Sequence, residues 1–422
     1  MKPVPSFVSC MLAGITAMGI ALPAIAQPGS PIPHAAPAAN ITLVQAVEAA
    51  WQRAVSARET DAQTARARAD RVAASSLSAG PPAFEMTHLN DRAHSNAGRR
   101  ETEVGIAWPL WLPGQRDARL AAADAELKLA DLNVAAMRLR LAGQVHEAAW
   151  KLSAVEAELQ AFGTQKRYLQ GIADDVRRRV GAGDLARSDT LAARAELLEA
   201  EAAESETAQR LAALRLQWRS LTGFEAAPVM RLPDTPRLPD VLSADISTHP
   251  ELRLATQAVE RARRRLDAVN VSRRDAPELS VKYREEAPGF GEGTQRGIGV
   301  GIRIPFGTDG RNAPLQAAAI GDLDIADANE RRLREQLQAD LQTARGAVQR
   351  GTEQLLGARE RTALLRERAQ LIDTSFKAGE TPLPDLLRAV NAAAQADAAL
   401  ARQQAALGLA HAQLQQASGI SP

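Results

Sequence analysis

Two spacings of apolar residues alternate along this chain. Residues 114–227 and 315–381 contain no proline and are dominated by Ala, Leu, Arg, Glu and Gln, all strong helix formers. A helix from Gly114 to Val180 would be roughly 100 Å long at 1.5 Å per residue. No globular core needs such a length, and helices like this stand by wrapping around neighbours as coiled coils. Ahead of each stretch the period changes from helical to two. Phe84, Met86 and His88 alternate with Glu85 and Thr87, then Val104, Ile106, Trp108 and Leu110 with Glu103, Gly105, Ala107 and Pro109. The second instance reads Leu279, Val281, Tyr283, then Ile298, Val300, Ile302, Ile304 and Phe306, with Gly297, Gly299, Gly301 and Arg303 between. This alternation predicts four strands near 82–90, 101–110, 278–286 and 297–306, grouped as two hairpins.

The two patterns belong to one unit that occurs twice. A shift of 196 positions places Pro109 on Pro305, Gly114 on Gly310, Ala182-Gly183 on Ala378-Gly379, Asp189 on Asp385 and Gly223 on Gly419. Upstream the shift is 195, setting Arg66-Ala67-Arg68 on Arg261-Ala262-Arg263 and Pro82 on Pro277. The single-residue difference falls between Pro82 and Pro109, where a loop is expected. Proline-rich stretches divide the chain. The expected parts are a signal peptide at 1–26, a flexible segment at 27–40, a first repeat at 41–227, a linker at 228–245 and a second repeat at 246–422.

A strand of about ten residues suits either a tilted bilayer crossing or a soluble hairpin with one buried face. Two such hairpins on very long helices weaken the soluble reading. Lipid tolerates no open sheet edge, and closed barrels begin at about eight strands. A chain with four spanning strands must therefore oligomerise.

Within each long helical stretch lies one break. The first comprises Val180, Gly181, Ala182, Gly183 and Asp184, and the second Lys377, Ala378, Gly379 and Glu380. Glycine ends a helix in the left-handed conformation, and Thr381 before Pro382 reads as the N-cap and first residue of the returning helix. Asp189 and Asp385 then fall in the first turn of a returning helix, with Arg388 one turn beyond Asp385. Either aspartate favours the helix dipole, or copies from several protomers form a negative ring at the end of a tube.

Composition narrows the function classes. Lys2, an apolar core from Phe7 to Leu22 and Ala24-Ile25-Ala26 read as a secretory signal. Cys10 is the only cysteine and lies within it, which removes disulfide and thiolate chemistry from the mature protein. Aromatic residues are 3% and formal net charge is +1, so neither a large globular core nor a nucleic-acid partner is indicated. His34, His88, His94, His146, His249 and His411 form no pair at metal-ligand spacing. The glycines at 289–301 lack a following Lys-Ser/Thr, and no hydrolase or zinc-protease motif occurs. No enzyme, cofactor or bound metal is expected.

The duplication, the paired strands, the signal segment and the two helix breaks together resemble the TolC family of outer-membrane efflux proteins, over nearly the whole mature chain. The resemblance implies a mainly α fold with a small transmembrane β part. Long antiparallel coiled-coil helices form an α-barrel in the periplasm, and four strands per protomer contribute to a 12-stranded trimeric β-barrel in outer-membrane lipid. It implies a homotrimer that meets a periplasmic adaptor (membrane fusion) protein and an inner-membrane RND pump at tips 180–187 and 376–383. Asp385 matches an acidic constriction position of some members, whereas Arg388 departs from it. The junction Trp108-Pro109-Leu110-Trp111-Leu112-Pro113-Gly114-Gln115-Arg116, with Ile304-Pro305-Phe306 and Gly310-Arg311-Asn312, is similar to that of the CzcC-like heavy-metal branch. The function implied is an exit duct for heavy-metal cations. A duct for drugs or type I protein secretion, and a soluble periplasmic coiled-coil scaffold or adaptor, are the alternatives.

Overall fold

The computed structural model describes residues 41–232, 245–307 and 309–420. The signal segment, residues 27–40 and most of the 228–245 linker lie outside the described residues. Seven helices and four strands follow in order: α1 Leu43–Arg53, α2 Val55–Ala74, β1 Ala83–Asn90, β2 Arg100–Pro109, α3 Gln115–Ala182, α4 Arg187–Thr222, α5 Pro250–Val271, β3 Glu278–Ala287, β4 Gln295–Arg303, α6 Asp309–Lys377 and α7 Leu383–Ala417.

The second half retraces the first. α2, β1, β2, α3 and α4 correspond in order to α5, β3, β4, α6 and α7. Strand register fixes the point where the offset changes. Ala83 pairs with Ala107 and Glu278 with Arg303, so the first strands are related by 195 and the second by 196. The extra residue lies in the tip of the second hairpin.

α3 and α6 contain 68 and 69 residues, so each is about 100 Å long. They are the spines of the molecule. Toward the sheet, the helices pack side by side in the order α2, α3, α5, α6; away from it, in the order α4, α3, α7, α6. α3 therefore touches helices of both repeats, and its contacts with α5 and α7 hold the repeats together. α1 is separated from α2 by Ala54, whose extended backbone (ψ 136°) breaks the helix. Its Ala46, Ala50 and Trp51 close a core cluster with Leu141, Val145, Leu152 and Trp218.

Where α3 meets α7, glycine and bulk are exchanged reciprocally. Gly408 of α7 lies against the Trp150 ring and Gly143 of α3 against the Gln416 side chain. A methyl group at 408 would overlap the indole, a rigid neighbour, whereas Gln416 can swing aside. Gly408→Ala is expected to destabilise the fold by about 1–3 kcal/mol, and Gly143→Ala by less. Thermal unfolding of the two variants, followed by circular dichroism, ranks them.

One helix start differs from expectation. α7 begins at Leu383 after an extended Pro382 (ψ 151°), so Thr381 is not its cap. Pro384 already occupies the first turn of α7, and the Thr381 hydroxyl is engaged instead by Ser375 Oγ at 2.6 Å. α6 starts ahead of Pro314, which sits inside the helix.

Candidate functional site

The four strands form one antiparallel sheet in the order β1-β2-β3-β4. The two hairpins join through β2 and β3, leaving β1 and β4 as free edges. Side-chain alternation then sorts the faces. Phe84, Ile106, Val281 and Val300 form one row, Met86, Val104, Tyr283 and Ile298 a second, and Trp108, Leu279 and Ile302 a third. On the opposite face stand Glu85, Gly105, Lys282 and Gly299, then Thr87, Glu103, Arg284 and Gly297. Here Lys282 pairs with Glu85 at 3.1 Å and Arg284 with Glu101 at 3.0 Å.

The apolar face is bare. Ile298 and Val300 are 77% and 72% exposed, and among the described residues no helix covers the sheet. An exposed apolar patch of this extent marks a binding or membrane surface. Strands of 8 to 10 residues are about 27–33 Å long, which suits a tilted bilayer crossing. No helix of the described residues is long and apolar enough to cross a membrane.

At the far end of the helices are the two turns. Gly183 and Gly379 have φ of 93° and 84°, the conformation glycine takes without steric cost. Both turns satisfy the last helix carbonyls in the same way. Gly183 donates to Val180 O at 3.1 Å and Asp184 to Arg179 O at 2.9 Å; Gly379 donates to Phe376 O and Glu380 to Ser375 O, both at 3.0 Å. Val180 is half-buried on the cluster of Val176, Leu197, Phe376, Leu386 and Leu387 that glues the two tips together. Gly181, Asp184, Lys377 and Glu380 are exposed.

The two first-turn aspartates behave differently. Asp189 Oδ2 accepts from the Ala186 N–H at 3.2 Å, capping its own helix. Asp385 Oδ1 receives Arg388 Nη2 at 2.6 Å, so its charge is already met within the protomer. Lys377 likewise pairs with Asp373 at 2.7 Å.

Residues outside the sequence-level candidates join the tips. Arg179 donates from Nη1 to Phe376 O at 3.3 Å and from Nη2 to Lys377 O at 3.5 Å, and its guanidinium stands 5.1 Å from the Phe376 ring centroid. It thus ties the end of α3 to the end of α6. Tyr168 of α3 faces Asp373 of α6; burial first, then that carboxylate, pushes its phenol well above the usual range. Neither role is visible before the tips are known to touch. No group of three or more metal-ligating side chains occurs among the described residues.

No protein-family model and no curated protein matches the sequence. Solved structures do. The outer membrane protein VceC from Vibrio cholerae aligns at 17% identity and a TM-score of 0.73, covering 90% of this chain and 96% of that one. The Campylobacter jejuni CmeC outer membrane channel aligns at 15% identity and 0.72, covering 89% and 85%. CusC, studied for conformational changes accompanying folding and transmembrane channel formation, aligns at 15% identity and 0.75, covering 90% and 92%. The chain shares the fold of these channel proteins. At such identities the likeness concerns the fold, and it covers about nine-tenths of the chain.

Proposed function

We propose that this chain is the protomer of a TolC-family outer-membrane exit duct, a homotrimer whose twelve strands close a barrel in lipid and whose helices close a periplasmic tube. The observation that carries this reading is the bare apolar sheet, with two unpaired edges, at the head of 100 Å helical hairpins. An unpaired edge has no tolerable partner in lipid except another strand. β1 and β4 run in opposite directions, so β4 of one copy meets β1 of the next antiparallel.

The helices support the same closure. α2 and α4 form the edge on the side of β1, and α6 forms the edge on the side of β4. One rotation therefore closes sheet and helix layer together. The repeat says which residues meet. Leu191 and Leu198 of α4 are exposed, while their equivalents in α7, Leu387 and Ala394, are buried. The edge α4–α6′ between copies would then repeat the α7–α3 contact inside one copy.

The polar face of the sheet becomes the wall of a water-filled path, and energy comes from an inner-membrane RND pump reached through a periplasmic adaptor at the tips. The cargo we propose is heavy-metal cations, supported by the Pro-Gly-Arg junction at 113–116. Such a duct catalyses nothing and need hold no metal. Purified protein in detergent is expected to show β content and a trimeric mass; a monomer without β structure overturns the reading. Sensitivity of a deletion strain to metals and to drugs, measured side by side, separates the metal duct from a drug duct.

A further inference from the structure

His146 occupies the α3 face that meets α7, between Gly143 and Trp150, and is 5% exposed. It borders a cavity of about 300 Å³ whose α7 wall is Leu409, Ala412, Gln413 and Gln416. Its Nε2 is buried and has no hydrogen-bond partner. The charged groups nearby are already engaged. On α3, Arg140 binds Glu251 of α5 at 2.5 Å and Glu147 binds Lys151 at 2.6 Å. On α1, Glu48 receives Arg138 at 3.2 Å. α7 offers no carboxylate to the cavity, and its one titratable group in this stretch is the half-buried His411. Asp340 of α6 lines a separate cavity with Gln413, Gln416 and the buried His249, whose Nε2 meets Gln416 O at 3.2 Å.

We propose that His146 makes the joint between the two repeats acid-sensitive: protonation leaves an N–H on the buried Nε2, which has no partner in the closed joint, so acid favours a state in which the end of α7 lifts from α3. Burial already holds the imidazole below its ordinary range. The sign follows from linkage. The open state binds protons more readily, so the closed joint has its full stability above the ordinary histidine pKa, about 6.5, and loses it as pH falls below that value. His411 is depressed by burial too, but neither of its ring nitrogens is buried without a partner, so its variant measures the smaller share it adds. α7 continues from this joint to the tip cluster, where its Leu383, Leu386 and Leu387 are buried. If the duct reading holds, loosening at one end is therefore felt at the other.

Hydrogen exchange on the full chain in detergent, at pH 7.5 and 5.5 and corrected for intrinsic rates, tests the joint without any measurement of conduction. A protein that conducts nothing still answers the question. Amides of 405–416 are expected to open several-fold more often at pH 5.5 than at pH 7.5, because the open state takes up the proton more readily. His411→Gln should keep most of that response, and His146→Gln and His146→Leu should remove most of it. An acid-insensitive wild type, a response undiminished in both His146 variants, or its loss in His411→Gln overturns the proposal. If His146→Gln does not fold, the apolar His146→Leu and the His411→Gln variant still decide.

Discussion

Val300→Arg is expected to prevent stable insertion of the protein into bilayers, whereas Thr87→Arg should leave insertion intact. The two positions lie on opposite faces of one sheet. Val300 belongs to the apolar row with Val281 and Ile106 and is 72% exposed in the protomer, with nothing but lipid to cover it in the proposed duct. An arginine on the lipid face near the bilayer midplane costs about 2–4 kcal/mol per site. Three copies would raise this to roughly 6–12 kcal/mol for the trimer, comparable with the whole stability of many domains. Thr87 stands on the polar face opposite Glu103, where a cation gains a partner. The sequence already tolerates Lys282 and Arg284 on that face. Folding into liposomes, followed by heat-modifiable migration and protease protection, measures both variants. Equal insertion of the two would remove the lipid from the account of this sheet.

How far the sequence discloses this architecture depends on the range of the interaction. Period-two spacing at 104–108 and 298–302 is local and strong, so the strands are visible before any partner is known. The turns at 183 and 379 are visible because only glycine takes φ near +90° freely, and a helix ended there must double back. Thr381 misleads for a local reason as well: a good capping residue loses its place when a second proline, Pro384, already occupies the first turn. What depends on contact between distant segments leaves no mark. Arg179 is one arginine among three in Arg177-Arg178-Arg179, and only the apposition of α3 and α6 selects it. Arg388 is in part an exception, since its spacing of three from Asp385 is readable, but the pairing at 2.6 Å is what changes the meaning of that acid. In a negative ring at this level Asp385 would bring its own cation with it, whereas Asp189 keeps its charge. The repeat does not equate the two copies here: Asp189 caps a backbone, and Asp385 holds a cation.

The same division appears in mid-helix, and it leads to the second large expected effect. Glu158 of α3 is 2% exposed. Arg402 of α7 approaches its Oε1 at 2.7 Å and Arg210 of α4 its Oε2 at 3.2 Å. One carboxylate thus joins three helices and both repeats. The equivalent position in the second repeat is Gln354, which receives only Gln403 at 2.9 Å. The partners are not symmetric in cost. Arg210 and Arg402 are 49% and 58% exposed, so freed of Glu158 they turn to water. Glu158 has no such exit. Arg210→Ala with Arg402→Ala leaves a buried charge uncompensated and should cost about 3–5 kcal/mol, the range for breaking a buried pair from one side. Glu158→Gln removes that charge, keeps the shape and some hydrogen bonding, and should cost about 1 kcal/mol, the value of an ordinary hydrogen bond. Adding Glu158→Gln to the double arginine variant should then restore stability rather than lower it further, because the uncompensated charge is gone. Opening free energies of α7 amides around 402, from hydrogen exchange across this cycle, give the coupling directly. If Glu158→Gln proves as damaging as the double arginine change, the carboxylate acts by attraction that half-exposed arginines cannot replace with water, and the desolvation argument for this site is wrong.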